Sequence, residues 1–246
     1  MRKIPSKEAR SRLIFALDMG DGIDETLQWV ERLRDHIGVY KIGKEAFTHF
    51  GPEIVRRTQG LGGRVFLDLK FHDIPATVAR AGIAAARRGV FMFNVHASGG
   101  YDMMKRCRDD VVNVCLKENL ARPRIIAVTV LTSMSQDVLK QEVGIQHSVK
   151  TQVRHLAGLS LKAGLDGVVA SAQEAAMIRG HCGRGFLIVT PGIRPAWAAA
   201  DDQHRTMTPK QALREGADYL VMGRAIRTHA DPVRAIELIR AEMAQA

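Results

Sequence analysis

The stretch FLDLKFHDIP, from Phe66 to Pro75, starts as an apolar run and then places Asp68, Lys70 and Asp73 within six residues. In an extended strand side chains alternate, so Val65, Leu67 and Leu69 share one face while Phe66, Asp68 and Lys70 share the other. A carboxylate and an ammonium two residues apart on one face are immediate neighbours. Lys41, at the end of an earlier apolar run, brings a second cation. Cations alternating with anions offset one another's desolvation and hold one another rigid without a metal ion. A structural ion pair would account for Asp68 and Lys70 alone. The added charges of Asp73 and Lys41 point instead to a preorganised site for charge that develops on a bound molecule.

A second set of residues suggests phosphate. Near the C-terminus, TPGIRP and the loop that follows it supply Gly192, Arg194 and Gln203, and a later Gly-Arg pair supplies Gly223 and Arg224. Glycine lets the backbone approach an oxyanion, and arginine grips one with a two-pronged fork. A strand-ending glycine followed by a solvated arginine would explain either pair singly. Two such pairs after two successive apolar runs favour an anion.

Other reactive residues read more plainly. His72, beyond Lys70, suits a structural role, and His96 in NVHASGG suits a histidine bonded to backbone beside a glycine turn. Neither has a second histidine at metal-ligand spacing. Cys107, Cys115 and Cys182 are scattered, odd in number and lack a CxxC pair, which reads as free thiols in a reducing compartment.

These residues need elements to bring them together. Apolar runs at Leu13–Asp18, Val39–Lys41, Val65–Lys70, Phe91–His96, Arg124–Thr132, Gly167–Ser171, Phe186–Thr190 and Tyr219–Gly223 read as strands. Amphipathic stretches at Ile23–His36, Glu45–Gln59, Ala76–Arg88, Tyr101–Leu116, Ser148–Ala163, Ala172–Arg179, Pro209–Glu215 and Pro232–Met243 read as helices. Pro75 suits a first helical turn, and Thr208 with Gln211 has the spacing of a capping box. Eight alternating units predict an α/β fold, a (β/α)8 TIM barrel, with residues 1–246 as a single catalytic domain. An open doubly wound sheet usually shows a glycine-rich phosphate turn after its first strand, and DMGDGID lacks G-x-G-x-x-G. In a barrel the strand ends Asp18, Lys41, Asp68, Lys70, Asn94, His96, Thr132 and Ser171 converge on one face with the two Gly-Arg loops. The long links 133–146 and 193–207 follow strands and are expected there as lids.

Composition excludes several classes. The chain has 246 residues, 46% of them hydrophobic and 25% charged, enough for one large core. The longest apolar run near the start, Leu13 to Leu17, is shorter than the roughly 7–15 residues of a secretory core, and no segment approaches the ~20 apolar residues of a membrane span. A cytoplasmic protein without a membrane partner is expected. The net charge of +10 is spread along the chain rather than gathered in a block, so no nucleic-acid partner is expected either.

The segments FALD, KIGKEAF, FLDLKFHDIPATV, NVHASGG, AVTVLTSM, DGVVASAQE, VTPGIRP and YLVMGRAI, in this order between residues 13 and 226, resemble the orotidine 5′-phosphate decarboxylase family. The resemblance implies decarboxylation of orotidine 5′-phosphate to UMP, the last step of de novo pyrimidine nucleotide synthesis, without metal or cofactor. It implies that Lys70 protonates C6 as carbon dioxide leaves, that Asp68 stands beside the scissile carboxylate, and that Lys41 and Asp73 complete the charged network. It further implies a homodimer with shared sites, in which Asp73 and Thr77 serve the partner's site. Asp18 and Lys41 match ribose contacts, and Thr132 with Ser133 the pyrimidine contact. Gln203, Gly223 and Arg224 match phosphate contacts, and Arg194 lies in the matching substrate loop. The nearest alternative is a metal-dependent relative such as 3-keto-gulonate-6-phosphate decarboxylase or hexulose-phosphate synthase. Those place an acidic metal ligand where this chain has Lys41, and an ammonium there would repel a divalent ion. A non-catalytic nucleotide- or RNA-binding barrel is the alternative from another class.

Overall fold

A computed structural model of the chain describes residues 6–19, 22–198 and 207–246. Eight parallel strands form a closed barrel in chain order: β1 (Leu13–Ala16), β2 (Val39–Gly43), β3 (Arg64–Phe71), β4 (Met92–His96), β5 (Arg124–Val128), β6 (Gly167–Val169), β7 (Leu187–Thr190) and β8 (Tyr219–Met222). Pairing of β1 with β8 closes it. The described helices are α1 (Ser6–Arg12), α2 (Ile23–Leu33), α3 (Lys44–Phe50), α4 (Glu53–Gly60), α5 (Pro75–Arg87), α6 (Gly100–Lys117), α7 (Val149–Lys162), α8 (Ala175–Cys182), α9 (Pro209–Arg214), α10 (Arg224–Arg227) and α11 (Pro232–Met243). Among them no helix is long and apolar enough to cross a membrane.

A closed parallel barrel buries both faces of every strand, which is why its strands read as continuous apolar runs. Ile14, Val39, Phe66, Met92, Ile126, Val189 and Val221 pack together as one buried cluster inside the barrel. Their alternates, among them Phe15, Tyr40, Val65, Leu67, Phe93 and Ile188, belong to the larger core beneath the helices.

All eight expected strands form, several of them shorter than expected; β5 ends at Val128 rather than Thr132. The single helix expected over 45–59 is two, α3 and α4. Gly51 takes a left-handed φ of 60° and Pro52 has no N–H to continue a helix, so the chain breaks between them. The stretch Ala172–Arg179 opens as a 3-10 turn over Ala172–Glu174 before α8 begins. Helices α1 and α10 have no counterpart in the sequence reading. Pro75 does open α5, and Thr208 and Gln211 form a reciprocal capping box at α9.

Two similar staples tie the strands at the end of the barrel where they begin. Asp166, just before β6, receives a bidentate pair from Arg122 at 2.9 and 2.7 Å and the N–H of Ile125 in β5 at 2.7 Å. Asp218, just before β8, receives Arg179 at 2.6 Å and the N–H of Ile188 in β7 at 2.8 Å. Arg179 also donates to the carbonyls of Gly183, Arg184, Phe186 and Gly216. One guanidinium thus serves four backbone acceptors and a carboxylate. Arg179→Ala should therefore lower stability in urea denaturation by about 2–4 kcal/mol, because one side chain ties together the loops that lead into β7 and β8. A loss below about 0.5 kcal/mol, the size of an ordinary surface change, would show that water replaces these bonds at no net cost.

Candidate active site

At the carboxyl end of the barrel four charged side chains form one continuous chain of contacts. The Lys41 ammonium lies 2.8 Å from Asp18 Oδ1 and 3.5 Å from Asp68 Oδ2, and the Lys70 ammonium lies 2.7 Å from Asp68 Oδ1. Asp68 therefore holds two ammonium groups, one on each oxygen. Lys41 is buried, and the Asp68 side chain is 13% exposed. Two ammonium groups, one against each oxygen, fix the carboxylate in direction. The Asp18–Lys41 contact needs space that only glycine leaves at the end of β2. A Cβ on Gly43 would stand 2.7 Å from Asp18 Oδ1 and 2.8 Å from Lys41 Nζ.

The regular alternation expected through Lys70 does not hold. Leu67 pairs with Phe93 and Phe71 pairs with Val95, so Asp68, Leu69 and Lys70 stand opposite Asn94 alone. Lys70 sits at φ 53°, the left-handed region. The bulge keeps both charged side chains at the barrel mouth although the strand is no longer regular there. Asn94, fully buried in β4, fills the gap. Its Oδ1 accepts the Lys70 N–H at 2.7 Å and its Nδ2 donates to Asp68 Oδ1 at 2.6 Å. Asn94 was noted only as a strand end in the sequence. The available signal was an amide inside an otherwise apolar strand, FMFNV.

Asp73 stands apart from this chain. It is exposed beyond β3, its carboxylate accepts the Ile74 N–H at 2.6 Å, and it makes no ion pair among the described residues. Ile74 beside it is 65% exposed, and Thr77 lies in the first turn of α5. Thr132 and Ser133 lie beyond β5, next to a turn closed by Met134 N–H to the Leu131 carbonyl. Ile193 and Met207 form a parallel bridge that closes the base of the loop carrying Arg194, whose N–H donates to the Met207 carbonyl at 3.0 Å. Gln203 falls outside the described residues. Gly223 ends β8 close to β1, where a Cβ would meet that of Ala16 at 3.2 Å, and Arg224 opens α10.

The two histidines stack on each other next to this site, ring centres 5.3 Å apart and planes 21° from parallel. His96 Nδ1 contacts the Ser98 hydroxyl at 2.6 Å and accepts the Ser98 N–H, capping the turn at Ala97–Gly99. Burial, and then the nearby His72, Lys44 and Lys70, push the His96 pKa below the usual 6.5. Among the described residues no group of three or more His, Cys, Asp or Glu is placed to hold a metal ion. Burial pushes the Cys107 thiol up to about 12, which makes it inert.

A closed eight-stranded barrel with a preassembled lysine–aspartate chain at the carboxyl ends of its strands defines a (β/α)8-barrel enzyme. The chain belongs to the family described as "Orotidine 5′-phosphate decarboxylase / HUMPS family", whose profile matches residues 11–239. It is 51% identical over 245 residues to the orotidine 5′-phosphate decarboxylase of Syntrophus aciditrophicus (strain SB), covering 99% of this chain and 97% of that one. It is 52% identical over 238 residues to the enzyme of the same name from Geobacter metallireducens, covering 96% and 97%. Among solved structures, the orotidine 5′-phosphate decarboxylase of Lactobacillus acidophilus superposes with a TM-score of 0.82 at 36% identity, covering 94% of this chain and 98% of that one.

The lowered His96 pKa has a consequence for stability. On acidification the unfolded chain takes up this proton before the folded protein does, so the imidazole's contribution is intact above its usual value of about 6.5 and is lost as pH falls below it. His96→Gln should therefore lose less stability than the parent between about pH 7.5 and about pH 5, measured by denaturant unfolding at each pH. Parallel pH dependences in the two proteins would remove His96 as the source.

Proposed function

We infer that this chain is a carboxy-lyase that converts orotidine 5′-phosphate to UMP in pyrimidine biosynthesis. The observation that carries the reading is the Lys70 ammonium held 2.7 Å from Asp68 in a barrel mouth, within a chain half identical to enzymes of that name. Breaking the bond between C6 and the carboxylate leaves an electron pair on a ring carbon and releases carbon dioxide. Lys70 stabilises that pair electrostatically and then gives C6 its proton, and solvent restores the ammonium. Asp68 keeps Lys70 aimed, and it faces the substrate carboxylate. Lys41, between Asp68 and Asp18, fixes Asp68 and with Asp18 takes the ribose hydroxyls. The alternative of a metal-dependent phosphosugar enzyme is not favoured, because the Lys41 ammonium stands 3.5 Å from Asp68 and would repel a divalent ion there. The reaction written here needs no metal or cofactor.

The remaining roles follow the family resemblance. Thr132 and Ser133 contact the pyrimidine, while Arg194, Gln203, Gly223 and Arg224 contact the phosphate. The phosphate is remote from C6, and its binding energy is used to position the substrate for the chemical step. Residues 1–246 act as one catalytic domain in the cytoplasm, with no nucleic-acid or membrane partner. Two copies form a homodimer in which Asp73 and Thr77 of each complete the other's site. The exposed Asp73 carboxylate, free of ion pairs among the described residues, and the exposed Ile74 beside it support this arrangement.

Purified protein should deplete orotidine 5′-phosphate, followed by its absorbance, at the same rate with and without a chelator. Lys70→Ala should cut that rate by about 10²–10⁴-fold or more while still binding UMP. Near-normal turnover by Lys70→Ala would remove the assigned role, and inhibition by the chelator would revive the metal-dependent alternative.

Mixing Lys70→Ala with Asp73→Asn under conditions that exchange subunits tests the shared site. If Asp73 acts across the dimer, each mixed dimer has one doubly damaged site and one intact site, and activity returns. Mixed dimers confirmed by mass that stay inactive would refute it.

A further inference from the structure

We propose that Asn94 is a positioning residue of the active site: its amide replaces the missing backbone ladder at the β3 bulge and so sets the Lys70 ammonium against Asp68. The proposal rests on the roles given above to Lys70 and Asp68.

In a regular parallel pair, the N–H of a residue at the Lys70 position would donate to a carbonyl of the neighbouring strand. Three residues of β3 opposite one of β4 make that impossible. The orphaned Lys70 N–H is taken instead by Asn94 Oδ1 at 2.7 Å. The same amide then turns its nitrogen to Asp68 Oδ1 at 2.6 Å, and that oxygen also receives the Lys70 ammonium at 2.7 Å. Backbone and side-chain nitrogens of one lysine are thus tied to one amide and one carboxylate. The amide's orientation is set by this chemistry, since only its oxygen can accept the N–H and only its nitrogen can donate to a carboxylate.

The backbone at Lys70 needs such a partner. Among the described residues only one other non-glycine, Asn119, has a positive φ, and asparagine takes that region readily whereas lysine does so only when its surroundings hold it. Asn94 is itself fully buried, between the apolar Phe93 and Val95. A buried amide is unfavourable unless both its ends are bonded, and among the described residues both bonds go to Lys70 and Asp68. No aliphatic residue at position 94 could satisfy the bulge. Aspartate would satisfy the Lys70 N–H but oppose Asp68. Because Asn94 acts through Lys70 and Asp68, its loss falls on the chemical step rather than on binding of ribose or phosphate.

The test uses the full-length enzyme with N94A and the near-isosteric N94D, each checked for native unfolding behaviour. N94A should lower kcat about 10²-fold, the usual cost of slight misplacement of a catalytic group, while its Kd for UMP stays within about threefold of the parent's. N94D keeps the acceptor for the Lys70 N–H and sets a second carboxylate against Asp68. Two carboxylates so close share a proton, and the protonated form restores the donor to Asp68. The ratio of N94D to parent kcat should therefore rise as pH falls, a trend that a merely structural role would not produce. Hydrogen exchange of the Lys70 backbone amide, followed by NMR without substrate, gives a readout independent of activity. It should be faster in N94A, where that N–H has lost its acceptor, and stay slow in N94D, which keeps one. An N94A kcat within threefold of the parent, an N94D ratio flat in pH, or unchanged exchange of the Lys70 amide in N94A would each overturn the proposal. So would failure of both variants to fold, which would assign Asn94 to stability alone. If the parent left orotidine 5′-phosphate unchanged, the substrate assignment would fail separately, and exchange of the Lys70 amide would still decide the role of Asn94.

Discussion

One carboxylate holding two ammonium groups in the mouth of a barrel is the constraint around which this structure is arranged. Asp68 contacts Lys41 through one oxygen and Lys70 through the other, and all three are largely withdrawn from water. Taking any one of these charges out of water alone would cost several kcal/mol or more, and together they offset much of that cost. The arrangement survives only if each partner is held in place. Gly43 leaves room for Asp18 to reach Lys41, the bulge in β3 turns Lys70 back onto Asp68, and the amide of Asn94 holds the bulge. Groups held in this way need little reorganisation during reaction, the condition under which fixed charges stabilise developing charge most effectively.

The two ends of the barrel divide their labour through the same kind of interaction. Where the strands begin, Asp166 and Asp218 each take an arginine and a backbone N–H together, so the ion pairs act as staples between strands. Where the strands end, the ion pairs are chained side chain to side chain and aimed into the open mouth. One geometry satisfies backbone and adds stability; the other leaves its charges available to a ligand. Asp73, on the loop that leaves β3, belongs to neither set within its own chain.

Much of the fold was legible from residue types alone. Eight apolar runs separated by amphipathic stretches lead to a closed parallel barrel, because strands buried on both faces lose their polar alternation. Capping at Thr208 and the proline at the start of α5 were legible because those signals are local. The break between α3 and α4 was written in Gly51 and Pro52 but hidden by an apolar periodicity that runs across it. Helix α1 lies in a basic stretch with little apolar patterning, and α10 is too short to show a period.

The sequence by itself determined which charges would meet: Lys41, Asp68 and Lys70 end neighbouring strands, and closure of a barrel brings strand ends to one face whatever the details of packing. The sequence grouped Asp73 with these charges, and only the structure sets it apart from them in its own chain, exposed beyond β3. Only the tertiary structure decided how the charges are held. Strict alternation would have left Lys70 in an ordinary strand conformation, whereas the register between β3 and β4 forces three residues opposite one and turns its backbone left-handed. That register is set by two strands packing on each other across a gap of more than twenty residues in the chain, and neither strand contains it alone. The role of Asn94 is hidden for the same reason: a buried amide acquires meaning only from the unpaired N–H that the bulge leaves in front of it.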